Sequence, residues 1–348
     1  MGKTDAEVRE ALTYSARSAS GQGIGQFVLE TPAERDHIAA VARAIGIAGH
    51  ASLRINPEVQ RRAPELTIAS ETVAAAFKQD IEHAERFFEH CGHNEFCKLD
   101  GLHIHFGSQI DQVEPCASAL RAVIGLIERL SQAGHTINTL HLAGGLGVDV
   151  DAAVAPTPAD YAEHLLPLLQ PLVDDGLSLI LEPGRTIAAG AGVLVTSVQY
   201  IRRDGATQYI VVDAGMHTLL RPALYDARHF VWPVQVAPMH VPHDRAPDQD
   251  MPGLDTADVV GPISESADFL ARGRKLPPVA RDDLLAVFDC GAYGSALSAR
   301  YTTRPLPPEV LVDGSTATVV REPETYENLL SCELKARKLD TQRRVSFS

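Results

Sequence analysis

The chain has 348 residues, of which 45% are hydrophobic and 5% aromatic, and its formal net charge is -14 at pH 7. This length accommodates one large domain or two ordinary ones, with an ample apolar core for either. The negative charge argues against a nucleic-acid-binding surface, and no apolar run approaches the roughly 20 residues that a membrane span needs. The charged N-terminus is unlike a signal peptide, and five scattered cysteines without a CxxC pair favour the reducing cytoplasm over disulfides or structural zinc.

The first half of the chain alternates strand-like and helix-like segments. Apolar residues at helical spacing, with Thr caps and Gly stops, predict helices over 4–12, 31–44, 71–91, 115–134 and from 157 onward. Short apolar runs predict strands over 25–29, 51–55, 101–106, 139–143 and from 177. This βα alternation predicts a parallel sheet or barrel with functional groups at the carboxyl ends of the strands.

After about residue 190 the helical pattern gives way to strands. Strand-length runs separated by Gly, Pro and Asp turns occur at 193–201, 208–213, 284–289, 309–313 and 317–321. A long loop rich in Pro, Asp and His is predicted over 237–257, and a basic tail, solvated or disordered, ends the chain. We therefore predict an α/β domain over 1–190 and an all-β domain over 191–348.

The segment 177–185, LSLILEPGR, concentrates unusual chemistry at one predicted strand end. An apolar run ends in Glu182, turns through Pro183-Gly184 and continues to Arg185. A carboxylate, a free backbone amide and a guanidinium fork would suit a ligand with a protonatable ring nitrogen and a phosphate. Taken alone, the tetrapeptide is more typical of an ordinary solvated turn.

Other predicted strand ends carry groups that the same ligand could use. His103 and His105 share one face of their strand, so His105 could stack on an aromatic ring, and Ser108 follows within reach of a phosphate. The pair Gly144-Gly145 offers backbone amides to an anion. Buried histidines with satisfied hydrogen bonds and a tight turn are the structural alternatives. A ligand touching all these strands would be a phosphorylated heteroaromatic cofactor.

The order of several segments resembles the diaminopimelate decarboxylases, pyridoxal-phosphate enzymes of the alanine-racemase-like class. The segments are GLHIHFGSQI, LHLAGGLG, LILEPGR, VVDAGMHTLLRPALYDARH, DVVGPISESADFLA, DCGAYG and PPEVLVDG with ETYENLL. The resemblance covers nearly the whole chain. It implies a (β/α)8 TIM-type barrel followed by a C-terminal β domain, and a homodimer with active sites at the subunit interface.

The resemblance also implies roles for particular residues toward pyridoxal 5'-phosphate. His105 would stack on the pyridine ring, and Glu182 would pair with its nitrogen and keep it protonated. The phosphate would be held by Ser108, Gly144, Gly145, Gly184 and Arg185. No metal ion is expected.

Substrate-binding residues follow from the same resemblance. Arg221 and Tyr225 would bind the distal carboxylate, with Arg185 and Tyr293 approaching phosphate and substrate, and Glu265 would bind the distal ammonium. The presence of binding residues for both the distal carboxylate and the distal ammonium favours meso-diaminopimelate over ornithine or arginine, which lack a distal carboxylate. The alternatives to these substrate-binding roles are that Arg221 forms an ion pair at the surface and that Tyr293 packs in a turn.

The first departure from the family pattern concerns the Schiff-base lysine. Nothing here resembles the family's AVKAN-like first strand, and Gly2-Lys3-Thr4 resembles the family just after its third strand. We therefore expect an N-terminally shortened chain whose barrel is incomplete. Lys98 is expected to precede its strand at the wrong end, and only Lys3 is expected near the carboxyl ends of the strands.

The second departure is Ser264, which stands where the family's Cys-Glu-Ser motif has the proton-donating cysteine. A serine hydroxyl is a much weaker acid than a thiol, so protonation would be slower or rerouted. The family's Lys-Phe-Gly is replaced by Ala76-Phe77-Lys78. The sequence thus predicts a decarboxylase of this family; the alternatives are a non-catalytic relic that binds cofactor weakly or only dimerises, or a decarboxylase for another diamino acid.

Overall fold

A computed structural model describes residues 2–14, 23–56, 81–107, 110, 112–148, 155–205, 207–245 and 249–333. The chain divides into two compact units, Met1–Ala189 and Gly190–Ser348. The predicted helix over 71–80, the segment around Lys78, Ser108 and the basic tail lie outside the described residues.

The first unit is built on a parallel sheet with neighbouring strands in chain order. The strands are β1 (Phe27–Leu29), β2 (Gly49–Ile55), β3 (Cys97–His105), β4 (Thr139–Ala143) and β5 (Ser178–Leu181). Among the described residues, β1 pairs only with β2 and β5 only with β4, so the sheet is open at both edges. β4 is buried along its length, whereas β5 leaves Leu181 61% exposed.

Helices flank these strands, and all but the short last one lie within or close to the ranges that the apolar spacing predicts. They are α1 (Asp5–Thr13), α2 (Pro32–Ile45), α3 (Ile81–Cys91), α4 (Glu114–Gln132), α5 (Pro158–Asp174) and α6 (Gly184–Ala188). Thr4 and Thr157 close capping boxes at the starts of α1 and α5, and Gly46 adopts φ 70° after α2. Their apolar faces pack on the sheet around Leu102, Leu120 and related side chains.

One strand boundary differs from the sequence prediction. Lys98 is the second residue of β3 and does not precede it. The charges of Lys98 and Asp100 hid the strand, but Cys97 and Leu99 are buried on either side of the exposed Lys98. The signal for a strand in this segment is the alternation of buried and exposed side chains, and not a continuous apolar run.

The second unit is dominated by a mixed, barrel-like sheet with strand order β10-β9-β7-β6-β11-β8. Its strands are β6 (Leu194–Asp204), β7 (Thr207–Val212), β8 (Val231–Pro233), β9 (Asp255–Val260), β10 (Phe269–Leu276) and β11 (Leu284–Val287). β12 (Glu309–Asp313) and β13 (Thr316–Arg321) form a separate hairpin. This unit also contains two short α-helices, α7 (Arg221–Tyr225) and α8 (Tyr326–Leu330).

Three of these strands are absent from the sequence prediction. β8 is only three residues long, β9 begins with polar residues inside the predicted 237–257 loop, and β10 is interrupted by Gly273 at φ 59° with shifted register. The predicted fold class, a partial α/β barrel followed by a barrel-like β domain, is confirmed. Within the described ranges, no helix has the length and apolarity required to cross a bilayer.

Candidate active site

Neighbouring strands of the first unit end side by side, and polar groups follow each end. His105, the last residue of β3, is in register with Ala143, the last of β4, and Leu142 is in register with Leu181. The amide of Glu182 donates to the carbonyl of Leu142 at 3.1 Å, which extends the β4–β5 ladder by one bond. The parallel sheet therefore brings His105, the glycines after Ala143 and Glu182 to one edge, as the sequence predicts.

His105 and the glycine pair form one side of this edge. His105 is half-buried, and its Nδ1 donates to the carbonyl of Ala143 at 3.3 Å, which orients the ring. Gly145 adopts φ 88°, and a Cβ there would lie 2.4 Å from the carbonyl oxygen of Gly107. Gly144 adopts φ 35°, and its Cβ would lie 2.8 Å from the carbonyl oxygen of Glu182. Only glycine permits this close approach of backbones.

The turn after β5 differs in one respect from the sequence prediction. Pro183 has φ -83° and ψ 63°, the geometry of an inverse γ-turn, so the amide of Gly184 donates to the carbonyl of Glu182 at 2.9 Å. The Gly184 amide is therefore not free, contrary to the expectation of a free donor at this turn. Arg185 follows, half-buried, in the first turn of α6.

The carboxylate of Glu182 lies between two buried histidines. His141 Nδ1 is 3.1 Å from Glu182 Oε1, and His103 Nε2 is 3.6 Å from Glu182 Oε2. Burial, partly offset by Glu182, lowers the pKa of His103 from 6.5 to about 4, so its imidazole is neutral at pH 7. The Glu182 side chain itself is 43% exposed, which leaves it accessible to a ligand.

His141 is a functional candidate that sequence reasoning missed. It lies in the buried strand β4, in register with His103, and the two rings are 5.8 Å apart between centroids. The signal was present in LHLAGGLG, where a histidine interrupts an apolar strand two residues before its end. A buried polar side chain requires hydrogen-bond partners, and Glu182 is one of them.

Beneath these residues lies a polar network around Gln26, which the sequence did not single out. Gln26 Oε1 is 2.9 Å from His141 Nε2 and accepts from the Ser52 hydroxyl. Gln26 Nε2 is 3.2 Å from Asp100 Oδ1 and 3.1 Å from Thr139 Oγ1. The side chain of Gln26 thus ties β2, β3 and β4 together below the site.

In the second unit, α7 carries two of the predicted substrate-binding residues. Arg221 donates from Nη1 to His229 Nε2 at 2.9 Å, and His229 Nδ1 donates to the carbonyl of Phe288 at 2.8 Å. His229 is only 2% exposed. Tyr225 ends α7 with its side chain 44% exposed.

Ser264 and Glu265 lie in an exposed loop that a buried aspartate holds in place. Asp268, 5% exposed, accepts from the amide of Met216 at 2.7 Å and from the amide of Ile263 at 2.5 Å. Glu265 accepts a hydrogen bond from the hydroxyl of Tyr301, and that contact raises the pKa of Tyr301. Asp268 and Tyr301 are further residues that sequence reasoning missed, although DVVGPISESADFLA contains the first.

Tyr293 has the left-handed backbone angle φ 67° and is 49% exposed. A non-glycine residue is strained in this region, and such strain is concentrated at functional sites. Nearby in sequence, Cys290 is a poor proton donor, because burial raises its pKa to about 12 and its Sγ donates to the carbonyl of Val287 at 3.2 Å. None of the described residues form a group of three His, Cys, Asp or Glu side chains suited to a metal ion.

The groups of the first unit fit a phosphorylated pyridine. The carboxylate of Glu182 has one oxygen on His141 and the other beyond hydrogen-bond distance of His103. The backbone at Gly144 and Gly145 forms a cradle that a Cβ would fill, and His105 is oriented beside it. These residues supply a partner for a ring nitrogen, an aromatic face and a close backbone approach for an anion.

The sequence is similar to characterised families over most of its length. A family model described as "Pyridoxal-dependent decarboxylase, C-terminal sheet domain" matches residues 14–291. The diaminopimelate decarboxylase of Aquifex aeolicus is 34% identical over 96% of this chain and 74% of that protein. The diaminopimelate decarboxylase of Pseudomonas aeruginosa is 36% identical over 96% of this chain and 74% of that protein.

Solved structures agree with these matches. Diaminopimelate decarboxylase from Helicobacter pylori, complexed with L-lysine, superposes with a TM-score of 0.80 at 28% identity and covers 96% of this chain and 77% of that chain. The M. jannaschii diaminopimelate decarboxylase in co-complex with L-lysine gives a TM-score of 0.79 at 28% identity, covering 95% of this chain and 72% of that chain. The chain belongs to the diaminopimelate decarboxylase family of pyridoxal-dependent decarboxylases.

Proposed function

We propose that this protein uses pyridoxal phosphate to decarboxylate meso-diaminopimelate to L-lysine. The observation that carries the proposal is the carboxylate of Glu182, held at a strand end beside His105 and the Gly144-Gly145 cradle. The names of the relatives support the substrate: the Aquifex aeolicus and Pseudomonas aeruginosa proteins are diaminopimelate decarboxylases, and two structural relatives bind L-lysine.

Each group of the first unit has a defined part in holding the cofactor. Glu182 would bind the ring nitrogen through the oxygen that His141 leaves open, and the oriented imidazole of His105 would stack on the ring. The phosphate would lie on the backbone at Gly144 and Gly145, with Arg185 and Ser108 as side-chain donors. Gly184, whose amide donates to the Glu182 carbonyl, would allow close approach without supplying that donor. Bound pyridoxal phosphate supplies an electron sink for the electron pair left at the α-carbon when CO2 departs.

The remaining residues would select the substrate and move a proton. Arg221, held by His229, and Tyr225 bind the distal carboxylate, while Glu265 binds the distal ammonium. The bond from the α-carbon to its carboxylate breaks, CO2 leaves, and one proton is added at the α-carbon to balance the reaction. Ser264 is the candidate donor of that proton, and Tyr293 would contact both phosphate and substrate.

We also propose that the active protein is a cytoplasmic homodimer. Free cysteines support a reducing compartment: Cys91, Cys97, Cys116, Cys290 and Cys332 are all unpaired. The family resemblance supports the dimer. Sedimentation equilibrium of the chain at micromolar concentration gives a dimer mass if this is correct and a monomer mass if it is not.

A non-catalytic relic is the second candidate, favoured by two observations. Ser264 stands in place of the proton-donating cysteine, and the ammonium of Lys3 is engaged by Val28 and Glu34. Turnover by this chain is therefore expected to be slow. A decarboxylase for a diamino acid without a distal carboxylate would make Arg221 dispensable for substrate binding.

The test measures L-lysine and CO2 formed from meso-diaminopimelate by the chain with added pyridoxal phosphate. The matched variants are Ser264→Cys and Ser264→Ala. We expect slow turnover by the parent chain, acceleration by Ser264→Cys because a thiol is the stronger acid, and further loss in Ser264→Ala. Cofactor binding without turnover by either the parent or Ser264→Cys would establish the relic instead. Turnover of ornithine that is indifferent to Arg221→Met would identify another diamino acid.

A further inference from the structure

The amide group of Gln26 has only one orientation compatible with its neighbours. Its Nε2 lies 3.2 Å from Asp100 Oδ1 and 3.1 Å from Thr139 Oγ1. An ionised carboxylate only accepts hydrogen bonds, so the NH2 group must face Asp100. Gln26 Oε1 therefore faces the opposite way, toward Ser52 and His141.

This orientation requires a hydrogen on Nε2 of His141. Gln26 Oε1 lies 2.9 Å from His141 Nε2 and can only accept, so Nε2 carries a hydrogen. His141 Nδ1 lies 3.1 Å from Glu182 Oε1. A bare Nδ1 there would place its lone pair against that of a carboxylate oxygen. A second proton must therefore occupy the contact between His141 and Glu182.

The surrounding charges single out His141 as the partner of Glu182. From β3, the neutral His103 faces Oε2 at 3.6 Å, beyond hydrogen-bond distance. From β2, Arg54 pairs with Glu30 at 3.3 Å, and His50 pairs with Asp100 at the far end of the network. From β4, the hydroxyl of Thr139 reaches Gln26 and carries no charge. Oε1 is therefore held by His141, and Oε2 remains for a ligand.

We propose that His141 is a positioning residue that donates from Nδ1 to Glu182 Oε1, with its Nε2–H held by Gln26, which Asp100 orients, and so presents Oε2 to the ring nitrogen of pyridoxal phosphate. This inference rests on the proposed role of Glu182 toward that cofactor. The carboxylate then lies between two N–H donors, one from the protein and one from the ligand. A charge-assisted hydrogen bond of this kind stabilises the anionic form of the carboxylate.

The hydrogens on the imidazole ring of His141 are tested first, on the full chain without cofactor. The chain is labelled with 15N-histidine, and the ring nitrogens of His141 are assigned by comparison with His141→Asn. At pH 7 we expect Nε2 in the N–H form and Nδ1 hydrogen-bonded to Glu182. Gln26→Leu, which is close in size, removes the acceptor and should shift the Nε2 resonance. A bare Nε2 in the parent chain would overturn the inference.

A matched pair of variants then tests the hydrogen bond from His141 to Glu182. Asparagine places its amide nitrogen near the position of Nδ1, so His141→Asn keeps a donor to Glu182 and loses the contact with Gln26. Glutamine reaches the position of Nε2, so His141→Gln keeps the contact with Gln26 and loses the donor to Glu182. We expect His141→Gln to weaken binding of pyridoxal phosphate about tenfold and His141→Asn to have a smaller effect.

The pH dependence of bound-cofactor absorbance separates positioning from simple loss of structure. The profile should shift in His141→Gln and remain close to the parent in His141→Asn, provided that circular dichroism shows both variants folded. Equal affinities and equal profiles for the two variants would refute the role of His141. If the parent chain itself fails to bind pyridoxal phosphate, the proposed function fails, and the 15N spectra alone decide whether the ring of His141 carries its hydrogens as inferred.

Discussion

Arg221 donates to Nε2 of His229 at 2.9 Å, and His229 donates from Nδ1 to the carbonyl of Phe288 at 2.8 Å. The carbonyl can only accept, so the hydrogen of the imidazole lies on Nδ1 and Nε2 is free to accept from the guanidinium. A buried neutral histidine therefore anchors the arginine proposed to bind the substrate's distal carboxylate. This relationship has an energetic consequence that a double-mutant cycle measures.

Replacing His229 with leucine should lower the free energy of unfolding by about 1–3 kcal/mol, because Arg221 loses a buried acceptor and the Phe288 carbonyl a donor. In an Arg221→Met background, replacing His229 with leucine should lower the free energy of unfolding by a smaller amount. The cycle measured by urea unfolding should therefore give a coupling energy of about 1–2 kcal/mol between the two residues. Additive effects would show that the contact does not anchor Arg221.

His103 should make the stability of the chain pH-dependent in the acidic range. Its pKa is lowered from 6.5 to about 4, chiefly by burial, so the unfolded chain takes up this proton first as the pH falls. Stability is then fully present above pH 6.5, decreases from pH 6.5 toward about pH 4, and levels off below it. The loss attributable to His103 is on the order of 3 kcal/mol.

His103→Asn removes this titrating group and should flatten the decrease. The measurement compares urea unfolding of the parent and the variant at several values of pH, and the quantity of interest is the difference between their pH slopes. Parallel slopes for the two proteins would contradict the assignment. At pH 7 the variant itself is expected to be less stable, since it alters packing beside Glu182.

The sequence predicted those parts of the site whose residues lie at the ends of regular strands. His105, Gly144 and Glu182 follow apolar runs, and parallel pairing brings their strand ends together. Gln26 and His141 could not be found this way, because their roles depend on hydrogen bonds between residues 115 positions apart. The predicted free amide of Gly184 failed because Pro183 forms a γ-turn, which sequence pattern does not distinguish from other Pro-Gly turns.

Asp268 should determine the stability of the loop that carries Ser264 and Glu265. Its carboxylate accepts from the amides of Met216 and Ile263, and Gly261 packs so closely that a Cβ there would lie 2.4 Å from Oδ1. Asp268→Asn turns one acceptor into a donor facing a backbone N–H. We expect it to lower the free energy of unfolding by about 1–3 kcal/mol.

Asp258→Asn is the matched control in the same unit, since Asp258 Oδ1 accepts from the Gly273 amide at 2.7 Å at a more exposed position. Asp258→Asn should lower the free energy of unfolding by less than about 1 kcal/mol. Hydrogen exchange of the amides of Met216 and Ile263 should accelerate only in Asp268→Asn. Unchanged exchange there would show that the loop keeps its conformation without this carboxylate.

Incubation with pyridoxal phosphate followed by borohydride reduction should leave no lysine of this chain stoichiometrically labelled. Lys3 Nζ donates to the Val28 carbonyl at 2.9 Å and pairs with Glu34, and Lys98 is the second residue of β3, about 20 Å along the strand from His105. Lys275 lies on β10 in the other unit. Peptide mapping by mass spectrometry reads the result directly.

Glu34→Gln removes the ion pair of Lys3 and should raise labelling there, with Lys3→Arg as the control that abolishes it. A single stoichiometric label in the parent chain, at Lys3 or elsewhere, would overturn this prediction and identify the amine that the reaction uses.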